Sequence, residues 1–239
     1  MVIIENVSFE VLPGEVFAIL GASGSGKSTV MRQMIGLEKP TSGRVWIDGV
    51  NIVAAEGGER RRLLRKFGVM YQSGALFGSM TLLENVCLPL EEFTDLPDTA
   101  VQLIARMKLN LVGLSGFEHH MPSELSGGMR KRAAIARAMA LDPEILFLDE
   151  LSAGLDPITS AELDHLVLSL ARNLKITFVI VTHELPSIMT IADRVIMLEK
   201  EAKGVVAAGR PQDLKDRSDN LWVHRFFNRE PESESTQQV

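Results

Sequence analysis

Nine consecutive residues, Gly21-Ala22-Ser23-Gly24-Ser25-Gly26-Lys27-Ser28-Thr29, constrain this chain more than any other stretch. They follow an apolar run, Val16-Phe17-Ala18-Ile19-Leu20, and lead into a helix-like segment from Thr29 onward. The spacing G-x-x-x-x-G-K-[ST] predicts a loop whose backbone N–H groups curl around phosphate oxygens, because glycine has no Cβ to block close approach or positive φ. Lys27 is placed to reach the β- and γ-phosphates of a nucleotide, and Ser28 to offer its hydroxyl to Mg²⁺. The N-terminus of the following helix adds partial positive charge at the same point. A Gly/Ser-rich surface turn is the bland alternative, and the strand-loop-helix setting disfavours it.

Composition narrows the classes. The chain has 239 residues, enough to bury a core as one large domain or two small ones. Its net charge of −6 gives a nucleic-acid partner no electrostatic support. The local basic runs Arg60-Arg61-Arg62 and Arg130-Lys131-Arg132 read as solvated helix faces. Cys87 is the only cysteine, which excludes an internal disulfide and a thiolate metal cluster and suits a reducing compartment. The start, Met1-Val2-Ile3-Ile4-Glu5, does not read as a secretory signal. No apolar run approaches the roughly 20 residues that cross a bilayer, so membrane association is expected to come through a partner.

Periodicity predicts a strand from Val2 to Val11, a turn at Pro13-Gly14-Glu15 and a buried strand leading into the phosphate loop. The helix after the loop is expected to stop near Gly36. Arg44-Val45-Trp46-Ile47 followed by Asp48-Gly49 reads as a hairpin. A basic helix from Glu59 to Lys66 and a strand from Phe67 to Tyr71 deliver Gln72 to a loop. From Ser73 to about Leu125 the pattern is helical, with a capping box at Thr81-Leu82-Leu83-Glu84 and a second helix from Asp98 to Met107. An alanine-rich helix follows Ser126-Gly127-Gly128. The strand Glu144 to Leu148, a helix from about Thr159 to Asn173, the strand Ile176 to Val181, a helix from Leu185 to Ala192 and the strand Arg194 to Leu198 complete a β-α alternation. The fold class this implies is α/β with a mainly parallel sheet.

Two further stretches carry chemistry. Asp149-Glu150, directly after the apolar Ile145-Leu146-Phe147-Leu148, fits the acidic site that a phosphate loop needs. Asp149 is the candidate metal ligand, mostly through water, and Glu150 the group that polarises the water attacking the γ-phosphate. Leu125-Ser126-Gly127-Gly128-Met129 puts glycines and a hydroxyl at a helix N-terminus, a second anion site from a distant segment. Taken alone, that stretch reads as an ordinary helix cap.

With these residues in place, the chain resembles the nucleotide-binding subunits of ATP-binding-cassette proteins. The resemblance implies a P-loop (RecA-like) core, a small antiparallel β subdomain and a helical subdomain inserted over about 73–140, all within one domain over 1–228. The remainder, 229–239, reads as a disordered tail. It further implies that Ser126-Gly127-Gly128 binds the γ-phosphate of an ATP held by a second copy of the chain, in a head-to-tail dimer. Gln72 resembles the glutamine that senses Mg²⁺ and couples to a transmembrane partner. Asp156, in Ser152-Ala153-Gly154-Leu155-Asp156, resembles the loop through which the two subunits touch, and His183 resembles the switch histidine that contacts the γ-phosphate. Two departures stand out. The chain starts about where the family's second strand lies, without the usual adenine-stacking aromatic, so either the start is truncated or adenine is held more loosely. Leu151 also replaces the usual proline, for which a local change in loop backbone is expected.

Within transporters, Gln72-Ser73-Gly74-Ala75-Leu76-Phe77, Met121 to Met129 and Asp156-Pro157-Ile158-Thr159 resemble the ATPase subunits of MCE-associated phospholipid transport systems. That likeness implies an integral-membrane permease, a periplasmic MCE-domain protein, a STAS-domain regulator in some systems, and a peripheral location on the cytoplasmic face of the inner membrane. The ATPase subunit of another importer, of an amino acid or similar solute, is the alternative within transporters, and a soluble, non-transport ATP-binding-cassette ATPase is the rival outside them. The aromatic C-terminal stretch Leu221-Trp222-Val223-His224-Arg225-Phe226-Phe227 is read as a short helix that either reaches the neighbouring subunit or folds back on its own.

Overall fold

The computed structural model describes residues 2–230; from residue 231 on, the expected disordered tail lies outside the described residues. The elements are β1 (Val16–Gly21), α1 (Lys27–Met34), β2 (Trp46–Ile47), β3 (Val50–Asn51), α2 (Gly57–Leu64) and β4 (Phe67–Met70). Then come α3 (Leu82–Phe93), α4 (Asp98–Leu111), α5 (Gly127–Ala138), β5 (Ile145–Asp149), α6 (Pro157–Leu174) and β6 (Thr177–Val181). The chain continues with α7 (Leu185–Ile191), β7 (Arg194–Glu199), β8 (Gly204–Gly209), α8 (Pro211–Arg217) and α9 (Leu221–Asn228).

Six strands form the main sheet in the order β4-β5-β6-β1-β7-β8, parallel except for β8 against β7. β1 lies between β6 and β7, with Val16 opposite Phe178 and Ala18 opposite Val195, and all six of its residues are buried. Side chains alternate between faces along a strand, so a sheet covered on both sides needs apolar residues at every position. Phe17, Ile19, Phe147, Val179 and Val181 pack with α1 and the β2–β3 hairpin on one face. Leu146, Leu148, Phe178 and Ile180 pack with α3, α4 and α5 on the other. Ala18, Leu20, Val195 and Met197 join Val223 and Phe227 of α9, so α9 folds back onto its own chain.

Local signals hold in several places. Thr81 Oγ1 accepts the Glu84 N–H at 3.3 Å while Glu84 Oε2 accepts the Thr81 N–H at 2.7 Å, the reciprocal cap expected before α3. Asp48 and Gly49 turn the hairpin with φ of 49° and 75°, as a two-residue loop matched to strand twist requires. The chain leaves α1 through Gly36 at φ 70°.

Three expectations are corrected. Residues 2–11 form no strand: Phe9 stacks on Phe17 with ring centroids 5.4 Å apart and Glu5 N–H donates to Lys203 O at 2.7 Å, but no ladder forms. An alternating pattern brings apolar side chains to the core without supplying the neighbouring strand that pairing needs. Conversely β8 and α8 were not foreseen, because the Gly- and Ala-containing stretch of β8 has little intrinsic strand preference and exists through its pairing with β7. In the run Arg130-Lys131-Arg132, Arg130 is exposed as a solvated face requires, but Lys131 is buried.

β4 and α5 touch at Gly68, where a Cβ would lie 1.9 Å from Ala138 O. Gly68→Ala is therefore expected to destabilise the protein by about 3 kcal/mol or more, read from urea unfolding midpoints, because the obstacle is backbone and cannot rotate away. A midpoint equal to the parent's would show that the sheet and α5 can separate freely.

Candidate functional site

β1, β4, β5 and β6 run parallel, so the segments that follow them emerge at one edge of the sheet, where ligands bind in open α/β folds. After β1 the chain passes through Gly21, Gly24 and Gly26 at φ of 155°, 79° and 95°. A Cβ at Gly21 would lie 2.4 Å from Leu198 O, and one at Gly26 would lie 2.4 Å from Ile4 Cγ2, so neither position admits a side chain. Gly26 opens α1 without a side-chain cap, which leaves the first-turn N–H groups without intrahelical acceptors. Lys27 Nζ donates to Gly21 O at 2.9 Å and Ala22 O at 3.0 Å, closing the loop on itself. Burial holds the Lys27 ammonium below its ordinary pKa, opposed by the charges of Glu150 and Asp149.

A cavity of about 690 Å³ opens at this edge. Ala22, Ser23, Gly24, Lys27 and Ser28 line it from the loop, and Gln72, Glu150 and His183 from the segments after β4, β5 and β6. Gly21, Ser25, Gly26 and Thr29 shape the loop without lining the cavity. Glu150 sits at φ 50°, rare for a residue with a side chain, and five contacts hold it there, one of them the Ala153 N–H donating to its carbonyl at 3.3 Å. Its N–H donates to Val181 O at 2.8 Å, and its carbonyl accepts from Lys131 Nζ at 2.9 Å. Its carboxylate accepts hydrogen bonds from the Thr182 hydroxyl at 3.3 Å and from His183 Nδ1 at 2.9 Å. Because a carboxylate only accepts, that contact assigns the His183 proton to Nδ1. A proline at 151 would steer residue 150 into the extended region; Leu151 removes that restriction and is buried in the core.

Asp149 does not line the cavity. Burial and then Glu150 push its carboxyl above the usual range, against Arg32, Lys27 and Lys131. Its Oδ1 is buried without a hydrogen-bond partner, as is Ser25 Oγ in the loop. With Ser28 Oγ and the Gln72 side-chain oxygen, Asp149 makes a set of hard oxygen donors that suits a small divalent cation. Among the described residues no group of His, Cys, Asp and Glu could hold a metal alone, so such an ion would share its ligands with a bound phosphate and water.

Ser126, Gly127, Gly128 and Asp156 stand apart from the cavity. Ser126 Oγ caps α5 by accepting the Met129 N–H at 3.3 Å. A Cβ at Gly127 would lie 2.8 Å from Leu155 Cδ2, and one at Gly128 2.4 Å from Thr159 Cγ2, so α5 abuts the start of α6. Asp156 caps α6, accepting the Ile158 and Thr159 N–H groups at 3.0 Å each, and the Thr159 hydroxyl and N–H hold its carboxyl below the usual range.

Sequence reasoning missed several contributors, among them Glu184 and Leu185 at the start of α7, which line the cavity. Phe226 and Arg229, from α9 and its end, also line the cavity. Lys131 donates to the carbonyls of both Gln72 and Glu150, and burial lowers its pKa. The available signal was its place on the apolar stripe with Ala134, Ile135 and Ala138, where a solvated lysine does not belong.

Because the Asp149 carboxyl is raised in the folded protein, the native state holds that proton more tightly than the unfolded chain. The associated stability is present below about pH 4, the unfolded Asp range, and is lost as pH rises through the native value. Asp149→Asn is expected to be more stable than the parent at neutral pH in nucleotide-free, metal-free buffer, with the difference shrinking toward pH 4, as measured by urea unfolding across that range. A difference that grows on acidification would contradict the assignment.

Comparison with known proteins places this geometry. The family model described as ABC transporter matches residues 4–153. The chain is 41% identical over 224 residues to the probable ribonucleotide transport ATP-binding protein mkl of Mycobacterium leprae, covering 94% of this chain and 64% of that protein, less than two thirds of its length. It is 41% identical over 217 residues to the intermembrane phospholipid transport system ATP-binding protein MlaF of Escherichia coli, covering 91% of this chain and 80% of that one. Its backbone matches the dimeric post-hydrolysis state of the ATP-binding cassette MJ0796 bound to ADP and Pi, with a TM-score of 0.78, 33% identity, and coverage of 87% and 90%. A phosphate loop at the end of a buried parallel strand, flanked by Gln72, Glu150 and His183, is thus the arrangement of a known group: the chain belongs to the ABC transporter family, as one of its ATP-binding cassettes.

Proposed function

We propose that this chain is the ATP-hydrolysing subunit of an ABC transporter that moves phospholipid or related lipid across the cell envelope. The observation that carries the hydrolytic part is the junction of Lys27, Gln72, Glu150 and His183 around one cavity. Lys27 and the N–H groups of the loop bind the phosphates of ATP, and Lys27 exchanges its contacts to Gly21 O and Ala22 O for them. Ser28, Gln72 and, through water, Asp149 would hold Mg²⁺, which neutralises charge on the phosphates. Glu150 takes a proton from the attacking water at its carboxylate, while His183 Nδ1–H and the Thr182 hydroxyl orient that carboxylate. Ser126, Gly127, Gly128 and Asp156, on a separate face, serve the cavity of a second copy in a head-to-tail dimer, and the dimeric relative bound to ADP and Pi supports that pairing. The helical segment over about 73–140 is the subdomain through which Gln72 communicates with a membrane permease.

The lipid assignment rests on the motif likeness of 72–77, 121–129 and 156–159 and on the identity to MlaF. It brings with it a permease of the MCE-associated type, a periplasmic MCE-domain protein, a STAS-domain regulator in some systems, and a peripheral position on the cytoplasmic face of the inner membrane. A solute importer is the second reading, favoured by equal identity, 41%, to a relative named for methionine import.

Glu150→Gln is expected to lower ATP turnover about a hundredfold or more while leaving ATP binding intact, and to accumulate an ATP-dependent dimer seen by light scattering. Ordinary turnover in that variant would remove Glu150 from its role. Lys27→Ala should weaken ATP binding about a hundredfold by calorimetry, the loss of a charge-assisted contact. For the cargo, the tagged chain is purified from detergent-solubilised native membranes and its partners identified by mass spectrometry. A permease with an MCE-domain protein supports lipid transport, whereas a permease with a solute-binding protein supports the importer.

A further inference from the structure

Lys131 lies one turn into α5, the helix that Ser126, Gly127 and Gly128 begin, and the residue is 7% exposed. A buried ammonium is costly unless its hydrogens are used. It donates to the backbone carbonyls of Gln72 and Glu150. We propose that Lys131 is a positioning residue for hydrolysis, clamping the backbones of Gln72 and Glu150 to α5 so that the Ser126-Gly127-Gly128 terminus and the two reacting-site segments of its own subunit move as one body.

Two features of the backbone carry this beyond a satisfied core lysine. Glu150 sits at φ 50°, and such a conformation persists only when its surroundings over-determine it. Three of its restraints come from β6 and the Thr182-His183 segment; on its carbonyl the Ala153 N–H of the same loop donates at 3.3 Å, and Lys131 supplies the one of these restraints that comes from α5. The segment after Gln72 is of the same kind, with Gly74 and Ala75 at φ of 76° and 49°. A second cation of α5 holds it: Arg137 donates to Ala75 O at 2.7 Å and Gly74 O at 3.0 Å. Lys131 and Arg137 thus tie the 72–75 segment to α5 at two points, and Lys131 alone also reaches Glu150. Ser126 is exposed at the far end of the same helix, so a ligand or partner that displaces the α5 terminus displaces the carbonyl clamps with it.

The proposal rests on the hydrolysis reading above, and its test separates the two. The full chain and its Lys131→Met and Lys131→Arg variants are compared by steady-state ATP turnover and by amide hydrogen exchange of nucleotide-free protein. Lys131→Met is expected to speed exchange across 72–77 and 150–153 about tenfold, with distant segments unchanged, as the loss of a buried clamp requires. Its kcat should fall about tenfold or more with KM within about twofold of the parent, since a misplaced Glu150 affects the reacting step more than binding. Lys131→Arg, which keeps a buried donor, should restore kcat to within about threefold. A kcat near the parent's in Lys131→Met, or a loss that Lys131→Arg does not recover, overturns the proposal. If Lys131→Met does not fold, Lys131→Gln is judged by the same criteria. If the parent binds but does not hydrolyse ATP, the hydrolysis reading fails, and the exchange pattern alone then upholds or overturns the clamp.

Discussion

The rest of the structure depends on β1 being enclosed on every side. It is hydrogen-bonded to β6 and β7 along both edges and covered on both faces, and every one of its residues is buried. Such a strand has no room for a functional group along its length. Polar chemistry is therefore displaced to where the strands stop, and parallel pairing puts those stops together. Lys27 follows β1, Gln72 follows β4, Glu150 follows β5 and His183 follows β6. Residues separated by well over a hundred positions meet at one cavity because their strands share a direction.

At that edge the backbone bends in ways an ordinary chain avoids. Gly21, Gly24 and Gly26 turn the loop with positive φ, and Glu150 and Ala75 do the same with side chains attached. Cations, two of them buried, stabilise these bends by donating to backbone carbonyls rather than pairing with carboxylates: the buried Lys27 to Gly21 and Ala22, the buried Lys131 to Gln72 and Glu150, and the half-buried Arg137 to Gly74 and Ala75. The carboxylates are thereby left available. Asp149 Oδ1 has no partner, and burial first, then the charge of Glu150, pushes its carboxyl above the usual range.

The cavity and the Ser126-Gly127-Gly128 terminus lie on different parts of the surface, joined through α5 and the start of α6. Gly127 and Gly128 sit close to the side chains of Leu155 and Thr159, so these glycines serve packing within the chain as well as the proposed contact with a second copy. Asp156 likewise caps α6 in the free chain. The features that would complete a partner's site are thus already structural members of this one.

Much of this was legible in the chain itself, wherever a local rule decides the outcome. The phosphate loop, the reciprocal cap at Thr81 and Glu84, the Asp48-Gly49 turn and the exit through Gly36 follow from bonds within a few residues. The apolar runs of β1, β5 and β6 announced strands buried on both faces. The absence of a strand over 2–11, the presence of β8, the fold-back of α9 and the burial of Lys131 were decided only in the tertiary structure. Each depends on what stands beside the segment: a strand needs a neighbour to pair with, and a buried ammonium needs carbonyls that only the assembled β4 and β5 ends supply. Short-range hydrogen bonding is written in residue order, whereas partners brought from across the chain exist only once the sheet has formed.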